Sequence, residues 1–166
     1  MKKTTTAVIV LLILAAAIAV LAYLNRPAEI PDSGTVLVTC GEMTKSFTME
    51  EIKALPYIEV EKEVVSSSFA NDEGLFRGPA LRTILTSAGI NPDDQRQCVV
   101  HSEDGFIAAY PMEEVMESDN IFLAYSKNEE GLGTKENGGT GPFRIIVTED
   151  EFGNRCAKYV CELEIK

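Results

Sequence analysis

The sequence predicts a mixed α+β domain carried behind one N-terminal hydrophobic helix. Three observations point there: an uninterrupted apolar run near the start, several short stretches of two-residue alternation, and short helix signals between them. At 166 residues the chain has room for one domain and a short appendage. No repeat or low-complexity tract appears beyond the leader.

The appendage comes first. Lys2 and Lys3 precede Ala7–Leu24, eighteen residues without a charge and apolar except for the Tyr23 hydroxyl. A membrane-spanning helix needs roughly 20 such residues, with about 17 as the lower limit. Residues 1–26 therefore read as a signal anchor, or as a cleavable signal peptide with the Ala15–Ala19 run facing the peptidase. Either way the rest crosses the membrane. The two lysines favour a cytoplasmic N-terminus and a domain outside, single-pass at the cell membrane or secreted after cleavage. Residues 27–34, with Pro27 and Pro31, form the linker, and residues 35–166 the domain.

Within the domain, Thr35–Cys40 alternates with Val36, Val38 and Cys40 on one face, a first strand. Thr48-Met-Glu-Glu51 is a capping box opening a helix that Pro56 stops after Leu55. Tyr57–Ser68 is rich in β-formers, and Asn71–Gly74 is a turn. Pro79 suits the first position of a helix with Leu81, Ile84, Leu85 and Ala88 on one face, ended by Gly89. Cys98–His101 and Phe106–Tyr110 flank Glu103-Asp-Gly105, a hairpin. A short helix over Pro111–Glu117 follows. Asn120–Tyr125 and Phe143–Thr148 are strands around a glycine-rich loop, and Cys156–Ile165 is the last strand.

Charge bounds the partners. Residues 1–26 hold three cations and no acid, so the net −11 of the chain rests on −14 over residues 27–166. Such a surface repels nucleic acid and anionic headgroups and keeps a domain soluble. Four cysteines, Cys40, Cys98, Cys156 and Cys161, in an oxidising compartment allow two disulfides in any of three pairings. Zinc fits poorly: there is no C-x-x-C pair, one histidine, and Cys156 and Cys161 fall on opposite faces of one expected strand. The loop Glu130–Gly141 lacks the Walker order and leads into no helix, which excludes a P-loop. His101, the sole histidine, has no second histidine or activated nucleophile with which to build a triad.

Four segments then come in a telling order: Phe76-Arg-Gly-Pro-Ala-Leu-Arg-Thr-Ile-Leu85, His101-Ser-Glu-Asp-Gly-Phe106, Gly141-Pro-Phe-Arg-Ile-Ile-Val147 and Ala157-Lys-Tyr-Val160. Together they resemble the molybdopterin-binding domain of the sulfite-oxidase-like oxidoreductases over residues 35–166. The resemblance implies that family's mixed-sheet fold. It also implies a cofactor cleft around Ser66, His101, Arg144 and Lys158, with a glycine-rich approach that brings the backbone near the cofactor. Catalytic members carry a cysteine upstream of the aromatic-x-Gly step, and its thiolate binds molybdenum. The matching position here is Ser66, in Val64-Val-Ser-Ser-Ser68. A serine hydroxyl is far less acidic and, as an alkoxide, a harder donor.

No catalytic residue, metal ligand or cofactor is therefore assigned. The expected function is a non-catalytic module, held to the membrane by the N-terminal helix, that binds a small ligand or an envelope protein. The alternative is a molybdenum-cofactor-dependent oxidoreductase of the sulfite oxidase type. The resemblance further implies that the first and last strands lie side by side. Paired antiparallel, they put Cys40 and Cys161 on one core face, close enough for a disulfide.

Overall fold

Two-residue alternation in the first strand sets the core. In the computed structural model, which describes residues 13–18, 20, 34–65, 71–117 and 119–166, β1 (Thr35–Cys40) buries Val36 and Val38 completely. The chain divides into two units, residues 1–30 and 31–166. In the first, residues 13–18 are helical. No described helix is long and apolar enough to cross a membrane.

In the second unit, β1 turns through Gly41 into β2 (Met43–Thr48), an edge strand whose one buried residue is Phe47. Thr48 caps α1 (Met49–Ala54): its hydroxyl accepts from the Glu51 amide, and the Glu51 carboxylate accepts from the Thr48 amide. These contacts satisfy end donors that the helix cannot pair internally. A long antiparallel ribbon follows, β3 (Ile58–Val64) against β4 (Asp72–Gly78). The segment expected as a turn, Asn71–Gly74, is thus mostly the start of β4.

Helix α2 (Leu81–Ala88) buries Leu81, Ile84, Leu85 and Ala88 and ends at Gly89, whose φ of 80° is the left-handed geometry glycine tolerates. It begins two residues later than Pro79 suggests, because the Pro79 carbonyl accepts from the Leu123 amide at 2.9 Å and stays in an extended segment. The expected hairpin is present as β5 (Gln97–Ser102) and β6 (Ile107–Pro111), followed by α3 (Met112–Met116). Next come β7 (Ile121–Ala124), two-residue β8 (Ser126–Lys127) and β9 (Glu130–Gly131), β10 (Arg144–Val147) and β11 (Val160–Ile165).

The strands form a five-stranded sheet in the order β2-β1-β11-β5-β6, a four-stranded sheet β3-β4-β8-β9, and the pair β7-β10. The first and last strands do lie side by side, but parallel rather than antiparallel, with Val38 opposite Leu163 and Cys40 opposite Ile165. That register corrects the disulfide. Cys161 lies four residues from Cys40's partner, roughly 13 Å away along a strand that rises about 3.3 Å per residue. A bridge needs Cα atoms about 4.4–6.8 Å apart. Both cysteines are free thiols, and the Cys161 thiol donates to the His101 carbonyl at 3.3 Å. Cys156 is outside the last strand, at the end of a 3-10 turn over Gly153–Arg155.

Candidate functional site

Position 144 opens β10 opposite Ala124 of β7, where both strands are fully buried. An arginine there must take its charge inside. The Arg144 side chain is 2% exposed, and a buried charge is tolerable only when paired. Its Nη1 donates to Asp72 Oδ2, its guanidinium lies 5.4 Å from the centre of the Phe76 ring, and its Nε is buried without a partner. Asp72 and Phe76 both come from β4, four residues apart and so on one face of that strand.

Lys127 on β8 reaches the same carboxylate, with Nζ 2.5 Å from Asp72 Oδ1. Burial pushes the Asp72 carboxyl up, yet the hydrogen bonds from Lys127 and Arg144 outweigh it and hold the group below its ordinary value. Asp72 is therefore ionised at neutral pH, with a cation on each oxygen.

This cluster opens onto a cleft of about 400 Å³ lined by Asp72, Lys127, Glu130, Thr140 and Lys158, among others. Lys158 also lines a second cleft of about 400 Å³ with Asp104, Phe106, Cys156 and Tyr159. Tyr159 ties the two walls together: its hydroxyl donates to the Gly139 carbonyl at 2.9 Å, and its own carbonyl accepts from the Glu103 amide at 2.9 Å.

The glycine-rich loop is packed against itself. A Cβ on Gly139 would sit 2.3 Å from the Leu132 carbonyl oxygen, and one on Gly141 would sit 2.6 Å from Leu132 Cβ. Hydrogen bonds from Thr140 N to Leu132 O and from Gly141 N to Gly133 O, both 2.9 Å, hold that close approach. These glycines are required by the loop's own crossing.

Of the residues the sequence brings forward, Arg144 and Lys158 fall at this cleft, Arg144 through Asp72. His101 does not. It stands on the outer face of the five-stranded sheet, its Nε2 3.0 Å from Glu164 Oε2, and Glu164 also meets Lys166 at 3.0 Å. It lines neither cleft. Ser66 lies outside the described residues. Asp72 and Lys127 are the site residues that the sequence reading passes over.

Thiolate donors are scarce among the described residues. Burial pushes the Cys98 thiol up to about 12 and the Cys161 thiol up to about 11, with Glu103 and Glu162 adding to the latter. It raises Cys156 as well. Cys40 belongs to another cleft, beside Gln95 and Lys166. No group of three or more histidine, cysteine or acidic side chains that could hold a metal ion occurs among the described residues.

Residues 35–166 match the family described as the oxidoreductase molybdopterin binding domain. The fold is similar to that of the sulfane dehydrogenase SoxCD from Paracoccus pantotrophus, with a TM-score of 0.66 and 22% identity. That similarity covers 84% of this chain and 39% of the other, so the chain spans well under half the length of that relative. No curated protein matches.

Proposed function

The chain belongs to the oxidoreductase molybdopterin-binding domain family, and we propose that it uses this fold as a membrane-tethered, extracytoplasmic module that binds a ligand or partner without catalysing a reaction. One observation carries the reading. Lys127, which lines the cleft, and Arg144, which meets it through Asp72, both direct their charge at Asp72. A pterin phosphate needs donors of this kind, and Arg in particular suits a bidentate clamp. Here the clamp is closed on a side chain.

The metal side of the cofactor fits no better. The sequence holds no cysteine between Cys40 and Cys98, and the buried thiols elsewhere are held protonated at neutral pH by burial. The described residues and the sequence around position 66 do not suit the group. The tether rests on the apolar run Ala7–Leu24 behind Lys2 and Lys3.

The test is the metal and pterin content of the full chain purified from its own host's envelope. We expect neither molybdenum nor pterin, and we expect Ser66→Cys to stay empty too, since it restores a sulfur without freeing Arg144. Stoichiometric molybdenum in the wild type, lost on Arg144→Ala, would instead establish the molybdenum-dependent oxidoreductase. Modification of an N-terminal cysteine tag only after the membrane is permeabilised is the expected sign of a cytoplasmic N-terminus.

A further inference from the structure

Asp72 is an unusual residue to find facing inward at the start of a strand. Its neighbours on the opposing strand do not require it: it sits opposite Val64, which is 4% exposed. What meets its carboxylate is charge, Arg144 on one oxygen and Lys127 on the other. A planar guanidinium and an ammonium converging on a two-oxygen group is the arrangement by which proteins hold carboxylates and phosphates that come from outside. The arginine is buried, and its Nε has no partner, so the donor set is larger than Asp72 alone can satisfy. The cluster is also at an opening, because Asp72, Lys127 and Lys158 line one cleft.

We propose that Asp72 is a resident anion: its carboxylate fills the anion-binding position formed by Arg144 and Lys127 and closes the cleft to phosphate-bearing ligands. This rests on the binding-module reading and makes Asp72 the residue that sets the class of ligand. A tethered group competes at an effective concentration in the millimolar range, so a free anion must outbid it. An anion approaching from the cleft also meets Glu130, which lines it. Lys158 lines the same cleft, so what Asp72 removes is the paired Arg144–Lys127 position that a phosphate group needs, not every cation.

Chemical replacement of the carboxylate tests this. Asp72→Ala in the full chain, kept in a mild non-ionic detergent, is titrated with formate and with pyrophosphate beside the wild type, following binding by calorimetry and folding by circular dichroism. The variant should bind pyrophosphate at least about tenfold more tightly than the wild type, and adding Arg144→Met to it should abolish the gain. If Asp72→Ala is unfolded in chloride alone, formate or pyrophosphate should restore its folded signal while leaving the wild type unchanged. Three results would overturn the assignment: saturable pyrophosphate binding by the wild type equal to that of the variant, a folded variant that takes up neither anion, or an unfolded variant that neither anion restores. Metal and pterin content is read independently of these titrations, so failure of this assignment is distinguishable from failure of the binding-module reading.

Discussion

Replacing Gly78 with alanine tests how the aromatic-x-Gly step builds the domain. Gly78 ends β4 where that strand meets β7, and a Cβ there would lie 2.0 Å from the Leu123 carbonyl oxygen and 2.8 Å from Ala124 Cα. Both contacts are backbone, so no side chain can rotate away. β7 cannot retreat either, because Leu123 and Ala124 pair with Ile145 and Arg144 of β10, all four fully or almost fully buried. The methyl must therefore wedge β4 from β7 and weaken the two hydrogen bonds that flank it, Tyr125 N to Arg77 O at 3.0 Å and Leu123 N to Pro79 O at 2.9 Å. Overpacking costs about 1–3 kcal/mol, and two weakened hydrogen bonds add about 1 kcal/mol each. The expected loss is about 3–5 kcal/mol, a large share of the ~5–15 kcal/mol typical of a domain. Gly89→Ala is the control: nothing lies within 4 Å of its Cβ, and only the φ of 80° is strained. That costs about 1 kcal/mol. With five tyrosines and no tryptophan, urea unfolding is followed by far-UV circular dichroism and tyrosine emission. A Gly78→Ala protein within about 1 kcal/mol of the wild type, or no less stable than Gly89→Ala, would refute the close-approach argument.

Arg144→Met should cost about 3 kcal/mol by leaving Asp72 with one cation, and Arg144→Met with Asp72→Asn should recover part of it in a double-mutant cycle read by urea unfolding. Because the folded-state pKa of Asp72 is lowered, its contribution is complete above the unfolded value of about 3.9 and fades as pH falls through the folded one. Stability should therefore fall less steeply below about pH 4 in Asp72→Asn than in the wild type. In the folded protein at neutral pH, half-buried Cys40 should alkylate ahead of Cys98, whose thiol is buried and pushed up to about 12. Peptide mapping without reduction should find no Cys40–Cys161 bridge, and finding one would contradict the parallel register of β1 and β11.

Local signals in the sequence were legible where one contact decides the backbone. The Thr48–Glu51 capping box and the Gly89 stop depend on neighbours a few residues away, and both are present as read. The direction of the first and last strands was not legible. Alternation tells which residues of β1 and β11 face the core, and a parallel pair buries the same Val36, Val38, Leu163 and Ile165 as an antiparallel one. The edge strand β2 hid for a related reason: of its six residues only Phe47 is buried, so Met43–Thr48 carries almost no period. Pro79 misled because tertiary pairing with Leu123 held it extended. At the site, Arg144 and Lys158 came from resemblance to a family. Asp72 was lost because Asn71-Asp-Glu-Gly74 has turn composition, and only the buried guanidinium across the fold explains an aspartate there. A buried arginine in a strand of Ile and Val needs a counterion, and that demand was the one available signal.

The Asp72 cluster also decides how far the acidic surface matters. A net charge of −14 over residues 27–166 repels anions at a distance, but at physiological ionic strength that field decays over about 8 Å. What an anion meets inside the cleft is set by the groups it touches. Had Arg144 and Lys127 been unpaired, contact attraction in a partly desolvated site would outweigh the screened field. With Asp72 between them, those two cations no longer oppose the field. Stability alone is a weak reason for this arrangement, since a buried ion pair often does no better than apolar residues of similar volume. The sense of it lies in recognition. The carboxylate holds the arginine in place, ties β4 to β10 and β8, and fills the position between the two cations at the cleft.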